Sequence, residues 1–381
     1  MNFVKVILLL ESGPAFSKTS GDTPSFLIEI LGKTTLQRTL EDLKKAGFGE
    51  TVIVAEKDLA TLKAVKDNAA GVKIVTAPAS QLWRTAEQQF EELAEDATHV
   101  LMVRLNAYLE LNWEEVLQHH RSHGNKITRA VYEGRAVDAC LANSSRRNDA
   151  AYLLRSGMKQ SRTECVPYAV GINGDEYVNF LQHEADLRKL ASDALHRNCK
   201  MQAAGTEIRP GIWTGRDAQI DKRARLVAPV YVGSRARIGP GAVITRGSSI
   251  ERHAVIGNKT VVENATILPK TNLGPGLDVS HSVVGERHIF HLQRNVCTPI
   301  QDPKLVSQSS ANAGLRAASG VAKSFIRIPG QIWRGVQGNA PAPEAESSVS
   351  YKEVFDSAET QPVEMPKVSG ELAVVRRYGN Q

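Results

Sequence analysis

The sequence predicts an α/β protein in which a parallel-sheet domain is followed by a domain of short strands at a fixed repeat. Two observations carry this prediction. Strand patterns alternate with helical patterns from Val4 to Leu105, and aliphatic residues then recur at every sixth position from Ile220 to Leu268. Strands that alternate with helices form a parallel sheet covered on both faces. A short fixed period indicates structural units that stack around a shared interior.

The N-terminal elements follow from the spacing of apolar residues. Val4 to Leu10 is an almost uninterrupted apolar run, as expected of a strand buried on both faces. The predicted strands span residues 4–10, 51–55, 72–76 and 99–105, and the predicted helices span 35–46, 59–68 and 85–95. Ligands bind at the carboxyl ends of the strands in such sheets, so we expect a site in the loops after Leu10, Thr76 and Leu105.

The repeat consists of two interleaved periods of six, with a mostly small residue two places before each aliphatic one. The aliphatic positions are Ile220, Leu226, Val232, Ile238, Ile244, Ile250, Ile256, Val262 and Leu268, and the small positions are Ala218, Ala224, Val230, Ala236, Ala242, Ser248, Ala254, Thr260 and Thr266. This period suits short strands joined by regular corners, each pointing one aliphatic side chain inward. The pattern resembles the hexapeptide repeat of left-handed parallel β-helices. That resemblance implies about three triangular coils, stacked roughly 4.8 Å apart.

Composition narrows the classes of function. The 381 residues suffice for two domains and a tail, and the net charge of +6 is spread along the chain, which does not indicate nucleic-acid binding. Cys140, Cys165, Cys199 and Cys297 are widely spaced, which indicates reduced thiols and neither a disulfide framework nor a zinc site. The longest apolar run is too short to span a bilayer and no signal-peptide cleavage site follows it, so we expect a cytoplasmic protein.

Three parts are expected along the chain. Residues 1–208 form the α/β domain, residues 209–290 the repeat domain, and residues 291–381 a capping segment and tail. Beyond Lys304 the sequence is rich in Ser, Ala, Gly and Pro, which predicts a largely disordered tail. Within it, residues 321–334 mix apolar, aromatic and basic side chains in a way that suits contact with a membrane surface. Packing of that segment on the end of the repeat domain is an equally good interpretation.

The order of short motifs resembles the sugar-1-phosphate nucleotidyltransferases, also called nucleotide-sugar pyrophosphorylases. The similar fragments are Leu31-Gly32-Lys33, Lys45-Ala46-Gly47 at a helix end, Thr85-Ala86 in a helix start, and Leu105-Asn106 after a buried strand. Members of this class often carry a hexapeptide β-helix behind the catalytic domain. The resemblance extends to about residue 285. It implies a nucleotidyltransferase-like (GT-A/Rossmann-like) domain with nucleotide contacts at Gly13, Thr85 and Asn106.

The positions that are catalytic in this class are altered. Its glycine-rich phosphate loop corresponds to Gly13-Pro14, and Pro14 lacks an amide donor. Ser25 stands where the class has a lysine, Tyr108 where it has a metal-binding aspartate, and Ala169 where it has an asparagine that touches the sugar. Nucleotidyl transfer depends on divalent metal and cationic groups. The resemblance therefore implies a diverged, catalytically impaired protein linked to polysaccharide or cell-envelope precursor synthesis, with no cofactor.

Two alternatives stay open. The first is an active sugar-1-phosphate nucleotidyltransferase with an atypical site, which would need Mg²⁺. The second is an acyltransferase on the repeat domain, with His281 and His288 as candidate bases; a capping segment with solvent-facing histidines is the favoured interpretation. The expected partners are a nucleotide or sugar nucleotide and further copies of the chain, joined through the repeat domain.

Overall fold

A computed structural model describes residues 3–11, 19–21, 23–57, 62–124, 127–158, 165–171 and 176–308. Gly13 and the segment 321–334 lie outside the described residues. The strands of the α/β part are β1 (Val4–Leu10), β2 (Glu29–Ile30), β3 (Lys33–Thr34), β4 (Thr51–Glu56), β5 (Lys73–Ala77), β6 (His99–Arg104), β7 (Tyr108–Glu110), β8 (Ile127–Tyr132), β9 (Arg135–Asn143), β10 (Cys165–Ala169) and β11 (Tyr177–Asn179). Its helices are α1 (Thr35–Lys45), α2 (Leu62–Asn68), α3 (Leu82–Leu93), α4 (Trp113–Ser122), α5 (Arg147–Arg155) and α6 (Glu184–Leu195).

A seven-stranded mixed sheet forms the centre of the α/β part. Its strand order is β5-β4-β1-β6-β9-β8-β10. β1 pairs in parallel with β4 and β6, β4 with β5, and β8 with β10, whereas β9 is antiparallel to both of its neighbours. The predicted α/β arrangement is confirmed, but the sheet is mixed and not purely parallel as predicted, because β9 runs antiparallel between β6 and β8. The helix predicted at 85–95 begins earlier, at Leu82.

The side chains of β1 alternate between two hydrophobic cores, one on each face of the sheet. Val6 and Leu8 belong to the core that contains Leu36 of α1. Ile7 and Leu9 belong to the core that contains residues of α3. Burial on both faces explains why the strand reads as a continuous apolar run.

The C-terminal part of the described chain, residues 206–308, is called here the repeat region. Its strands are β12 (Thr206–Arg209), β13 (Ile212–Thr214), β14 (Gln219–Ile220), β15 (Arg225–Leu226), β16 (Val230–Val232), β17 (Arg237–Ile238), β18 (Val243–Thr245), β19 (Ser249–Ile250), β20 (Val255–Ile256), β21 (Val261–Glu263), β22 (Thr266–Ile267), β23 (Thr271–Leu273), β24 (Asp278–Ser280), β25 (Ser282–Gly285), β26 (His288–His291), β27 (Val296–Pro299) and β28 (Val306–Gln308). From β13 to β25 the chain visits three parallel sheets in rotation. Each of the early pairings joins residues 18 positions apart, as in Gln219 opposite Arg237.

The predicted inward residues fill a single core, with one correction of phase. Ile238, Ile244 and Ile250 lie in that core with at most 4 % of their surface exposed. After Glu263, however, one residue is missing from the period, because Ile267 pairs with Ile250 at a spacing of 17. Ile267 therefore takes the inward position predicted for Leu268. Leu268 packs in a different cluster, against residues of α6.

The small position slips by one residue in the same way. Thr266 was predicted to match Ser248, but it pairs with Ser249, and the two hydroxyl oxygens lie 3.0 Å apart. Ala265 takes the small inward position and is fully buried. Both aliphatic neighbours, Ile267 and Leu268, satisfy the sequence pattern, so the pattern alone does not place the slip.

Antiparallel strands follow the parallel ladders at their C-terminal end. β26 pairs with β25 and with β27, and β28 pairs with β23. Residues 288–308 thus pair with the last parallel strands of two of the three ladders.

A buried joint connects the α/β part to the repeat region. Glu251, which is completely buried, accepts hydrogen bonds from the backbone amides of Leu31 (2.9 Å) and Gly32 (3.1 Å). Arg38 of α1 donates to the carbonyl of Gln202 at 2.9 Å and to that of Ile30 at 2.8 Å. The turn between β2 and β3 is therefore hydrogen-bonded both to the repeat region, through Glu251, and to α1, through Arg38.

None of the helices in the described ranges is long and apolar enough to cross a membrane. All four cysteines are free thiols.

Candidate functional site

Charged side chains meet at the carboxyl edge of the central sheet, where the sequence predicts a site. Glu11 directly follows β1, and Arg104 ends the neighbouring strand β6. Their side chains form an ion pair with 2.5 Å between Oε2 and Nη2. Arg104 also lies 3.4 Å from Asp138 of β9, which in turn forms a 2.9 Å ion pair with Arg129 of β8. We call Glu11, Arg104, Asn106, Arg129 and Asp138 the sheet-edge cluster.

Of the three predicted nucleotide-binding residues, one belongs to this cluster. Asn106 is exposed, and its amide nitrogen donates to Asp138 at 2.9 Å. Thr85 lies half-buried in the first turn of α3. Trp83, two residues earlier, stacks near Arg104, with 5.9 Å between the guanidinium carbon and the ring centroid. Gly13 lies outside the described residues, so its part in the site stays a prediction.

Tyr108 occupies a buried position that is unlike a metal site. Only 3 % of its surface is exposed, and it packs with Ile30, Leu190 and other apolar side chains. Its hydroxyl donates a 2.6 Å hydrogen bond to Glu110. Burial, and then the nearby Glu110 carboxylate, raise the pKa of the phenol well above its ordinary value, so the hydroxyl stays protonated.

The other two altered positions lie on separate elements. Ser25 is half-buried in a single 3₁₀ turn, Ser25–Leu27. Ala169 is exposed at the end of β10, the edge strand of the sheet.

The sheet-edge cluster does not fit a Mg²⁺ ion as it stands. Mg²⁺ needs near-octahedral oxygen ligands, usually with one or two carboxylates that are available to it. Both carboxylates of this cluster, those of Glu11 and Asp138, are ion-paired with guanidinium groups. The two negative and two positive charges cancel, so the cluster is a hydrogen-bonding surface without excess charge of either sign.

A second candidate site is a cleft of about 910 Å³ that was not predicted from the sequence. It lies between α1, β7 and residues 200–205. Lys33 forms a 2.6 Å ion pair with Glu41 there, and Glu110 accepts from the backbone amide of Lys200 at 2.8 Å. Its lining comes from three distant segments of the chain, so the sequence alone does not show that Lys33, Tyr108 and Lys200 meet at one cleft.

The structure does not bring the two histidines of the acyltransferase alternative together. His281 precedes β25, whereas His288 begins β26 and pairs with Gly285 at the other end of that hairpin. Nδ1 of His288 donates a local hydrogen bond to the carbonyl of Glu286, at 2.9 Å. His281 lines a groove of about 540 Å³ against the end of α6.

Comparisons with known proteins do not assign the chain to a family. No protein-family model matches the chain, and the comparison with curated proteins gives no significant match.

Proposed function

We propose that this chain is a diverged, non-catalytic member of the sugar-nucleotide pyrophosphorylase superfamily whose repeat region is a left-handed β-helix. The observation that carries the proposal is the burial of Tyr108 at the position of the class's metal-binding aspartate. In this proposal the protein binds a nucleotide or sugar nucleotide in the cytoplasm. It organises polysaccharide or cell-envelope precursor synthesis without catalysing the transfer itself.

The absence of turnover rests on electrostatics. Nucleotidyl transfer needs fixed positive charge where negative charge develops. Tyr108 and Ser25 supply no charge, and the guanidinium groups of Arg104 and Arg129 are already paired with carboxylates. Each missing group of this kind typically costs about 2.7–4 kcal/mol of barrier.

Retained binding rests on the groups that the sheet edge still offers. The exposed amide of Asn106 can donate to and accept from a nucleobase or sugar. The half-buried indole of Trp83, which lies near Arg104, offers an aromatic ring at the same edge of the sheet. Stacking on an aromatic ring and amide hydrogen bonds do not require a metal.

Self-association through the repeat region is part of the proposal. Ile208 is an exposed large apolar side chain near the first turn of this region, with 48 % of its surface accessible. Light scattering should show a dimer or trimer, and Ile208→Asp should shift it toward the monomer. A monomer at micromolar concentration in the wild-type protein would contradict this part.

The functional test combines turnover with binding. Purified full-length protein with magnesium, nucleoside triphosphates and common sugar 1-phosphates should release no pyrophosphate above background. Calorimetry with a panel of sugar nucleotides should show binding that Asn106→Leu weakens.

Asn143→Leu is the matched control because it removes the same kind of side chain at a distant place. Asn143 lies opposite His99, at the end of β6 that is far from the sheet-edge cluster. Sustained pyrophosphate release would favour the active-transferase alternative and reject the proposal. Absence of binding to any nucleotide or sugar nucleotide would also reject it.

The acyltransferase alternative has its own test. It would need the imidazole of His281 to accept a proton, so wild-type protein given acyl-coenzyme A and amino sugars should form free thiol, and His281→Ala should not. We favour the first proposal because Nδ1 of His281 lies 2.7 Å from the amide nitrogen of Asn264, which can only donate, so the neutral ring carries its proton on Nε2.

A further inference from the structure

The groove beside His281 lies where the end of α6 meets the corners of the repeat region. His196 comes from the residue after α6, Pro229 and Arg246 come from two corners, and Asn264 and His281 come from two more. The groove therefore collects side chains from five separate places in the chain. It is remote in sequence from every residue of the sheet-edge cluster.

A buried guanidinium lies beneath this groove. Arg188 of α6 has 3 % of its surface exposed. Its Nη2 donates to Oδ1 of Asn264 at 2.8 Å and to the carbonyl of Arg246 at 3.3 Å, both neutral acceptors. Its Nε and Nη1 have no hydrogen-bond partner among the described residues. The Asp193 carboxylate interacts with this guanidinium electrostatically but accepts its hydrogen bond from the Tyr177 hydroxyl instead. Because neutral acceptors do not cancel a buried charge, the guanidinium keeps a positive charge that has no directly bonded counter-ion.

The contact with Arg188 fixes the amide of Asn264. A guanidinium only donates, so the atom that faces it must be the oxygen of the amide. The nitrogen of Asn264 then faces Nδ1 of His281, at 2.7 Å. An amide nitrogen also only donates, so Nδ1 is the acceptor. The neutral His281 ring consequently carries its proton on Nε2.

The groove thus presents hydrogen-bond donors and positive charge on one side. Nε2–H of His281 has no hydrogen-bond partner among the described residues, and the Arg246 guanidinium lies on the same groove. Arg246 is 70 % exposed and pairs with Glu263 at 2.8 Å, a surface contact that an anion can replace at little cost. The opposite side is apolar and is formed by Val227, Ala228 and Pro229.

We propose that this groove is a binding site for a small ligand that carries a phosphate group on an apolar or ring-shaped body. The phosphate would accept from Arg246 and from Nε2–H of His281, above the buried charge of Arg188. Guanidinium groups bind phosphate oxygens in a two-pronged geometry that a point charge does not provide. The body of the ligand would pack on Pro229 and its neighbours. This site is independent of the proposed nucleotide site at the sheet edge.

The test is calorimetry of the full-length protein at low ionic strength with two probes, inorganic phosphate and phenyl phosphate. Both should bind, and phenyl phosphate more tightly because its ring reaches the apolar side. Arg246→Gln should weaken phenyl phosphate about tenfold, as expected for the loss of a charge-assisted hydrogen bond. Arg225→Gln is the matched control. It removes one exposed arginine of the repeat region outside the groove, and it should bind like the wild-type protein.

A second readout needs no variant. In nitrogen-15 NMR spectra the neutral His281 ring should be protonated at Nε2, and that signal should move when phosphate is added. Equal weakening in Arg246→Gln and Arg225→Gln would mean attraction to net charge alone and would overturn the proposal. A His281 signal that ignores phosphate, or the absence of binding to both probes, would overturn it as well.

Discussion

The carboxylate of Glu251 lies 3.1 Å from the amide nitrogen of Gly32, so a side chain of the repeat region is bound by a turn of the α/β part. Leu31 and Gly32 both have positive φ values, 52° and 83°. Successive residues in this conformation point their N–H groups toward one spot, where they bind an acceptor. The hairpin between β2 and β3 is therefore shaped to receive Glu251.

The first prediction is that stability falls with rising pH because of Glu251. Burial raises its pKa to about 8 from an ordinary 4.5, although the Leu31 and Gly32 amides and Arg38 act against the shift. Between these two pH values the folded protein holds a proton that the unfolded chain has released. The stabilisation is complete below pH 4.5 and is lost as the pH rises toward 8. Urea midpoints measured between these limits should decline steadily.

Substitutions separate Glu251 from the other carboxylates. In Glu251→Gln the side chain cannot ionise, so the urea midpoint should depend much less on pH. The midpoint itself should be lower than in the wild-type protein, because one hydrogen bond from a backbone amide is lost. Glu263→Gln is the matched control, because Glu263 follows Val262 as Glu251 follows Ile250, and it should keep the wild-type slope. An unchanged slope in Glu251→Gln would contradict the assignment.

The second prediction concerns Gly32 and Tyr231. A Cβ on Gly32 would lie 2.2 Å from the hydroxyl oxygen of Tyr231, and the φ of 83° is unfavourable for any other residue. Gly32→Ala should therefore lower the free energy of unfolding by at least about 2 kcal/mol. Tyr231→Phe should be nearly neutral, because its buried hydroxyl has no hydrogen-bond partner among the described residues.

The double variant tests the contact itself. In the Tyr231→Phe background, Gly32→Ala should cost about 1 kcal/mol less than in the wild-type background. Strictly additive effects would show that the backbone conformation alone, and not the hydroxyl, requires glycine.

The third prediction concerns the phase of the repeat. Ile244 is fully buried, so Ile244→Ala should cost about 2–5 kcal/mol of unfolding free energy. Arg225 is exposed, one residue before the inward position of Leu226, and Arg225→Ala should change stability by no more than about 0.5 kcal/mol. Chemical denaturation compares the two directly. Similar costs at the two positions would refute the assigned orientation.

The fourth prediction is that the class's aspartate cannot simply be put back at Tyr108. Tyr108→Asp would place a carboxylate beside Glu110 in an apolar cluster, which should destabilise the protein by about 3–5 kcal/mol. Tyr108→Phe, which removes only the hydroxyl, should cost about 1 kcal/mol. Thermal melts measure both. A stable Tyr108→Asp variant that releases pyrophosphate would contradict the burial argument.

The sequence patterns predict the elements that repeat or alternate, because periodicity is a local property. β1 and β6 are apolar runs whose burial on both faces is evident from the chain itself. The one-residue slip at Asn264 is different. Ile267 and Leu268 are adjacent and both aliphatic, so either residue continues the period and only packing against α6 decides between them.

The functional surfaces are harder to predict, because their residues meet only in three dimensions. Arg188 and Asn264 are 76 residues apart, and Gly32 and Glu251 are 219 apart. Neither pair belongs to a periodic pattern. Tyr108 could be recognised as a departure from a motif, but its burial against Leu190 depends on where α6 packs.

The strand pairings also imply an order of folding. From β13 to β25 each strand meets a partner 17 or 18 residues away, so each turn can close soon after it leaves the ribosome. β1 pairs instead through Val6 with Thr51 and through Val4 with His99, and the second of these pairings requires about a hundred residues to have been synthesised. We therefore expect β1 to remain without its full set of neighbours until β6 has been synthesised. The repeat region, in contrast, can add one turn after another from its first pairing onward.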